Sequence, residues 1–256
     1  MSNSVAVVTG ASQGMGRATA IRLARDFPSL VLVARNRTNL EDTAAKVREA
    51  GAAALVIDLD LSDPSAPASI VEQTLEAFDR IDALVNIAGA VPQIDLFEMT
   101  DEQWDAGMAL KLHGARRLTI EAWPALKQSK GSVVLMSGNS AISPKAPYAG
   151  VGTINAAIAA LAKAFSDRGI EDGVQVNSVL PGAVLTGRRR SYLEHWAPAH
   201  GMTVEEALDA FPQKAEISRF GQPEEVAELM AFMVSPAARW MTGSTFRMDG
   251  GEVKSV

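Results

Sequence analysis

Hydrophobic positions along this chain follow two alternating periods. Runs that are apolar at nearly every position predict strands at Val5–Thr9, Leu30–Ala34, Ala54–Asp58, Ala83–Asn86, Ser132–Ser137 and Val174–Leu180, with a last one at Ser244–Met248. Between them, Arg17–Asp26, Thr38–Ala50 and Ile70–Phe78 carry their apolar residues on one side of a helical period and predict amphipathic helices. Strands without polar alternation are those buried on both faces, as when helices cover both sides of a parallel sheet. Right-handed crossovers then give a single-domain α/β fold with a doubly wound, Rossmann-type sheet over residues 1–256. No repeat or linker divides the chain. The stretch Gly187–Gly221 is the least regular, is polar and holds Pro198 and Pro212, so it is expected to form a mobile flap.

A glycine-rich segment, Thr9-Gly10-Ala11-Ser12-Gln13-Gly14-Met15-Gly16, lies between the first strand and the first helical pattern, which begins at Arg17. A strand that turns at once into a helix, with its backbone close to a ligand, has no room for side chains at the turn. The helix start offers free N–H groups and a positive dipole end to phosphates. Gly10, Ser12, Gln13, Gly14, Met15 and Gly16 are therefore expected to cradle a dinucleotide.

Composition narrows the classes. With 47% hydrophobic and 21% charged residues the chain is a folded globular domain and not a disordered one. A net charge of -6 argues against nucleic acid as a partner and leaves a small-molecule substrate. The absence of cysteine excludes disulfides and thiolate chemistry. No basic segment precedes an apolar one at the N-terminus, and no run reads as a bilayer span, so neither a leader nor a membrane is expected and the cytoplasm is the default compartment. His113, His195 and His200 lack metal-ligand spacing, so no metal is expected.

These residues together resemble the classical short-chain dehydrogenase/reductase family along the whole chain, as a divergent member. Asn86-Ile87-Ala88-Gly89 is a close variant of that family's N-N-A-G, and Asp60-Leu61-Ser62-Asp63 is similar to its D-x-[ST]-D. Val176-Asn177-Ser178-Val179-Leu180-Pro181-Gly182 resembles R-V-N-x-[IV]-x-P-G, with Thr186 where the nicotinamide carboxamide is held. Arg219 to Ala227 and Thr242 to Gly251 resemble its C-terminal signatures. The resemblance implies an NAD(P)(H)-dependent oxidoreductase that interconverts a carbonyl and an alcohol. It adds Asp60, Leu61, Asn86, Ala88, Gly89, Asn155, Pro181, Gly182 and Thr186 to the cofactor-binding set. It also implies a homo-oligomer, a tetramer or a dimer, with the alanine-rich helix Ile154–Phe165 suited to close packing. The second strand ends Leu32-Val33-Ala34 and is followed by Arg35. No carboxylate stands there to repel a 2′-phosphate, and Arg35 offers it a planar cation, so NADP(H) is expected over NAD(H), with Arg37 in support.

The family's catalytic Asn, Ser, Tyr and Lys are replaced here. Trp104-Asp105 through Gly114 resembles W-D-x-x-x-x-V-N-L-x-G and puts Lys111 at the Asn position. Asn155 through Lys163 resembles K-A-A-[VI]-x-x-L-T-[KR], which puts Asn155 at the Lys position, Val151 at the Tyr position and Gly138 at the Ser position. A rival register makes Tyr148 the family tyrosine and Gly152 the lysine, at the expense of a deletion. Asn and Lys have thus traded places, and Lys111 is expected to enter the volume vacated at Asn155. Ser137, Asn139 and Ser140 bracket the empty Ser position, and Tyr148, read as lying in the first turn of the next helix, offers another hydroxyl. Lys111, Ser137, Ser140, Tyr148 and Asn155 are the catalytic candidates. The same residues are compatible with a catalytically silent NADP(H)-binding sensor or partner subunit, and with a redox-neutral lyase or isomerase. Arg188-Arg189-Arg190 opens the flap, as an attractor for an anionic substrate or as a solvated face.

Overall fold

The computed structural model describes residues 3–255. Seven strands among them, β1 (Val5–Thr9), β2 (Ser29–Val33), β3 (Ala53–Ile57), β4 (Ala83–Asn86), β5 (Ser132–Met136), β6 (Gln175–Pro181) and β7 (Thr245–Met248), form one sheet in the order β3-β2-β1-β4-β5-β6-β7. All six neighbouring pairs are parallel. The predicted strands lie within a residue or so of these bounds, because runs such as Leu30-Val31-Leu32-Val33, fully buried on both faces, leave little else for the chain to form.

Helices cover both faces. Alternate strand residues such as Val8, Leu30 and Leu32 pack toward α1 (Gly14–Leu23), α2 (Arg37–Glu49) and α9 (Pro223–Met233). Val7, Val31 and Val33 pack toward α3 (Ala66–Phe78), α5 (Ala115–Ser129) and α6 (Ala149–Asp172). The short α4 (Asp101–Gly107) is closed by a capping box of Thr100 and Gln103 and runs into a π-helical stretch, Met108–Gly114, before α5. Strand order reverses direction beside β1, which places a crevice at the carboxyl ends of β1 and β4.

Three expectations are corrected. The first helix begins at Gly14 instead of Arg17, because Gln13 is already the extended residue before the helix. The stretch Gly187–Gly221 is not an irregular flap but holds two helices, α7 (Gly187–Ala199) and α8 (Val204–Lys214). Thr186 caps the first, Thr203 and Glu206 form a capping box on the second, and Leu193, Ala197, Ala207, Ile217 and Phe220 bury a small core of their own. Pro198 and Pro212 fall in the last turn of each helix, where each forfeits one i→i−4 hydrogen bond just before the helix stops, so neither interrupts the helix interior. Finally, α6 is long and apolar enough, by length and composition alone, to cross a membrane, which the sequence reading did not anticipate. It is seated on β5 and β6, with Ile154, Asn155, Ile158 and Ala162 buried.

Candidate active site

The crevice is a trench of about 680 Å³. Of the residues expected to hold a dinucleotide, Gly10, Ser12, Gln13, Gly14, Met15, Gly16, Arg35, Asp60, Leu61, Ala88, Gly89 and Thr186 line it together. Asn86, Asn155, Pro181 and Gly182 are not on its wall. Asn86 is buried and donates to Thr119 Oγ1, and Pro181 and Gly182 are bound into the β6–β7 edge.

The glycine turn is sterically forced. A Cβ on Gly16 would lie 2.1 Å from the Gly10 carbonyl oxygen, and Gly10 itself has φ +68° with Ala88 N 3.0 Å from its would-be Cβ. Thr9 Oγ1 accepts from Ile87 N at 2.9 Å and Ala88 N at 3.0 Å, tying the ends of β1 and β4 together under the trench. Gln13 precedes α1 without a side-chain cap, so the first N–H groups of the helix remain open to an anion. The Arg17 guanidinium braces the turn by donating to the carbonyls of Ser12 (2.8 Å) and Asn39 (3.2 Å).

At the other end of the trench Arg35 is exposed and sits 3.6 Å from Asp60. Burial raises the Asp60 carboxyl, but hydrogen bonds from Ser62 and the neighbouring Arg35 outweigh it and leave the group below its ordinary value. Arg37 is engaged elsewhere, 2.8 Å from Asp58 and 3.8 Å from Glu41. Of the two, Arg35 and not Arg37 lies on the trench wall.

The catalytic candidates gather where the π-helical stretch faces α6. The Lys111 stem crosses Gly89 so closely that a Cβ there would lie 2.9 Å from Lys111 Cδ. Its Nζ donates to the Ser137 carbonyl at 3.3 Å and to Asn155 Oδ1. The Asn155 amide donates in turn to Ser140 Oγ at 2.8 Å, and Ser137 Oγ donates to the Asn155 carbonyl at 2.7 Å. Among the described residues no carboxylate pairs with Lys111. Burial, with help from the Arg188 charge, pushes its ammonium down from 10.5 to about 8. A Cβ on Gly138 would lie 2.6 Å from Asn155 Nδ2, so the amide occupies the space that a side chain at 138 would take. At Gly152 a Cβ would meet Pro144 Cβ at 2.8 Å and the Ser140 carbonyl at 3.0 Å, which leaves no path for a lysine there.

Tyr148 stands apart from this cluster. It does not lie within the first turn of α6, as expected; a tight turn over Ala146–Tyr148 precedes the helix, and Tyr148 takes φ −151°, ψ 41° just before it. Pro147 is accommodated in that preceding turn, which shifts the helix start. The Tyr148 hydroxyl makes no hydrogen bond among the described residues.

Two arginines after Thr186 complete the site. Arg188 lines the trench and donates to the Gly89 carbonyl at 3.0 Å, spanning its mouth. Arg189 turns inward, its guanidinium 5.2 Å from the Phe211 ring centroid and 5.9 Å from that of Tyr192. Sequence showed the run of charge but not that Arg188 lines the trench while Arg189 packs on aromatic rings, which depends on the helical turn that begins at Gly187.

The family model described as enoyl-(acyl carrier protein) reductase matches residues 10–252. A 3-oxoacyl-[acyl-carrier-protein] reductase of Synechocystis sp. is 31% identical over 252 residues, covering 97% of this chain and 96% of the relative. L-sorbose reductase from Gluconobacter frateurii, solved with NADPH and L-sorbose, superposes with a TM-score of 0.95 at 29% identity, over 99% of this chain and 98% of the other. A variant of the actinorhodin polyketide ketoreductase, solved with NADPH, gives a TM-score of 0.93 at 28% identity, covering 98% and 97%. Open helix start, glycine cradle, sheet order and these matches agree, and the chain belongs to the short-chain dehydrogenase/reductase family, a family of oxidoreductases that use a nicotinamide cofactor.

Proposed function

We propose that the protein is an NADP(H)-dependent oxidoreductase that interconverts a carbonyl and an alcohol, with Lys111 as its proton donor. The observation that carries this reading is the Lys111 ammonium, led over Gly89 into the cluster of Asn155, Ser137 and Ser140. The trench fits the cofactor by its own features: an uncapped helix start for a diphosphate, glycines at 10 and 16 where the turn has no room for a Cβ, and Arg35 following a β2 that ends without a carboxylate. Gly14, Met15 and Gly16 would hold the diphosphate and Arg35 the 2′-phosphate. The NADPH in the solved relatives supports the same preference.

When bound, the nicotinamide supplies or accepts the hydride. The chain's own part is the proton. An ammonium held near 8 is still mostly charged at neutral pH, yet acidic enough to release its proton to a developing alkoxide. Asn155 Oδ1 and the Ser137 carbonyl hold Nζ in place as acceptors, and Ser140 fixes which way the Asn155 amide faces. Arg188 keeps the ammonium acidic through its charge and spans the trench mouth at Gly89.

The test is NADPH oxidation on a panel of ketones by wild type, Lys111→Met and Tyr148→Phe, with NADPH affinity measured alongside. Loss of the acid is expected to cost roughly 100-fold in rate in Lys111→Met, while Tyr148→Phe stays near wild type. Wild-type turnover by Lys111→Met with intact NADPH binding would end the proposal. Tight NADPH binding by wild type without turnover of any ketone would replace it with the silent-binder reading.

A further inference from the structure

Three consecutive arginines are ordinarily a solvated face, but Arg188, Arg189 and Arg190 have three different fates. Arg190 is exposed, and Arg188 reaches the Gly89 carbonyl. Arg189 is partly buried, with its backbone N–H on Thr186 Oγ1 and its guanidinium beside the rings of Tyr192 and Phe211. Those rings satisfy its apolar surroundings but accept none of its N–H donors. Among the described residues the guanidinium has no hydrogen-bond acceptor and no carboxylate within ion-pair distance.

The carboxylate whose charge acts on it is Glu252, and Glu252 is already committed. Its Oε2 accepts from Asn139 Nδ2 at 2.8 Å and from Ala183 N at 3.1 Å. Burial lowers the Arg189 guanidinium, with Glu252, Tyr192 and Tyr148 acting the other way. A partly desolvated cation with a free planar fork is costly unless an oxyanion completes it. Its position says which molecule brings that oxyanion. Arg189 lies one helical turn beyond Thr186, which lines the trench, and its backbone N–H is held by the Thr186 hydroxyl. Glu252, whose charge acts on it, is bonded to Asn139, next to Gly138 and the Asn155 cluster. Tyr148, at the entrance to α6, also bears on it. The cation therefore stands at the Thr186 end of the trench, beside the Asn139 and Asn155 cluster, while Arg35 lines the trench after β2.

We propose that Arg189 anchors an oxyanion of the substrate, a carboxylate or a phosphate, so that the preferred substrates are anionic carbonyl compounds. This rests on the reductase reading, and it is tested by binding so that the two fail separately. Protein saturated with NADP⁺ is titrated calorimetrically with benzoylformate against methyl benzoylformate, and with dihydroxyacetone phosphate against dihydroxyacetone. The first pair reads carboxylate and the second phosphate. At least one charged member is expected to bind tenfold or more tightly than its neutral counterpart. That preference should collapse in Arg189→Met and Arg189→Gln and persist in the exposed control Arg190→Met, with NADP⁺ affinity unchanged throughout.

The proposal is overturned if neither anion is preferred by wild type, including the case where neither binds at millimolar concentration. It is equally overturned if the preference survives both Arg189 substitutions or falls as far in Arg190→Met. Anion binding without turnover supports the subsite and counts against the reductase. Ketone reduction without anion preference does the reverse.

Discussion

Replacing Lys111 by methionine should change how stability depends on pH in a direction fixed by its burial. In the unfolded chain the ammonium loses its proton near 10.5, whereas in the fold burial and Arg188 bring that down to about 8. Between those values the unfolded protein carries a proton at Lys111 that the folded protein has given up. The unfolded state then binds more protons, so stability rises with pH across this window and is flat with respect to Lys111 below it. At roughly 1.4 kcal/mol per pH unit, a fall from 10.5 to about 8 sets an upper limit of about 3 kcal/mol. Solvent reaching the partly exposed side chain reduces that figure. Other lysines and the tyrosines titrate in the same range, so the quantity to follow is wild type minus Lys111→Met, in which they cancel. Urea unfolding of both cofactor-free proteins, at steps from about pH 7 to about 10.5, gives this difference. It should climb by one to a few kcal/mol toward alkaline pH (on the order of the limit above). A flat or falling difference refutes a buried ammonium at this position, and with it the acid assigned to the site.

Gly138→Ala should destabilise the fold by roughly 1–3 kcal/mol, since its Cβ would lie 2.6 Å from an Asn155 amide already bonded to Ser140; Asn155→Ala should relieve most of that cost, and additive effects in denaturant unfolding would disprove the contact. Arg35→Ala should weaken NADP(H) binding about tenfold, the equivalent of one charge-assisted hydrogen bond, and leave NAD(H) nearly unchanged; equal affinity of wild type for both nucleotides in calorimetry contradicts the assignment. Trp240 and Phe97, 97% and 92% exposed, with Ile170 at 69%, leave large apolar side chains in water on a single chain. A homo-oligomer, a dimer or a tetramer, is accordingly expected by light scattering, and a monomer at micromolar concentration speaks against it.

The fold was legible because its strands are apolar at both faces and its glycines leave only one kind of turn. The trench followed, since the residues that line it near the diphosphate are consecutive, from Gly10 to Gly16. What sequence missed depends on cooperation between distant segments. Capping by Thr186, Thr203 and Glu206 turned an expected flap into α7 and α8, because local caps and the buried Leu193–Phe220 core outweighed two prolines near helix ends. Tyr148 was moved off α6 by a tight turn whose existence a Pro147 alone did not dictate. Arg37 was taken by Asp58, a partner on the neighbouring strand's end that no local pattern reveals.

The exchange of Lys111 and Asn155 was visible as letters, but its consequence is spatial. A lysine placed on the π-helical stretch has to cross the trench wall to reach α6, and only the missing Cβ of Gly89 lets its stem pass. Gly89 thus serves the ligand-binding wall and the lysine path together, and the same dual use holds at Gly138, which yields its side-chain space to the Asn155 amide. In the family pattern a lysine lowers the tyrosine that donates the proton. In the register that puts Val151 in that tyrosine's place there is no phenol to acidify, and a solvent-exposed lysine would hold its proton too tightly at neutral pH to take over. Burial over Gly89 and the charge of Arg188 bring the ammonium to about 8, near the range in which a general acid works best. Removing the Arg188 charge therefore has a definite consequence for the proposed chemistry. In Arg188→Met the Lys111 ammonium becomes a weaker acid, and the alkaline limb of the pH–rate profile moves to higher pH. An unmoved limb would show that the proton comes from another group.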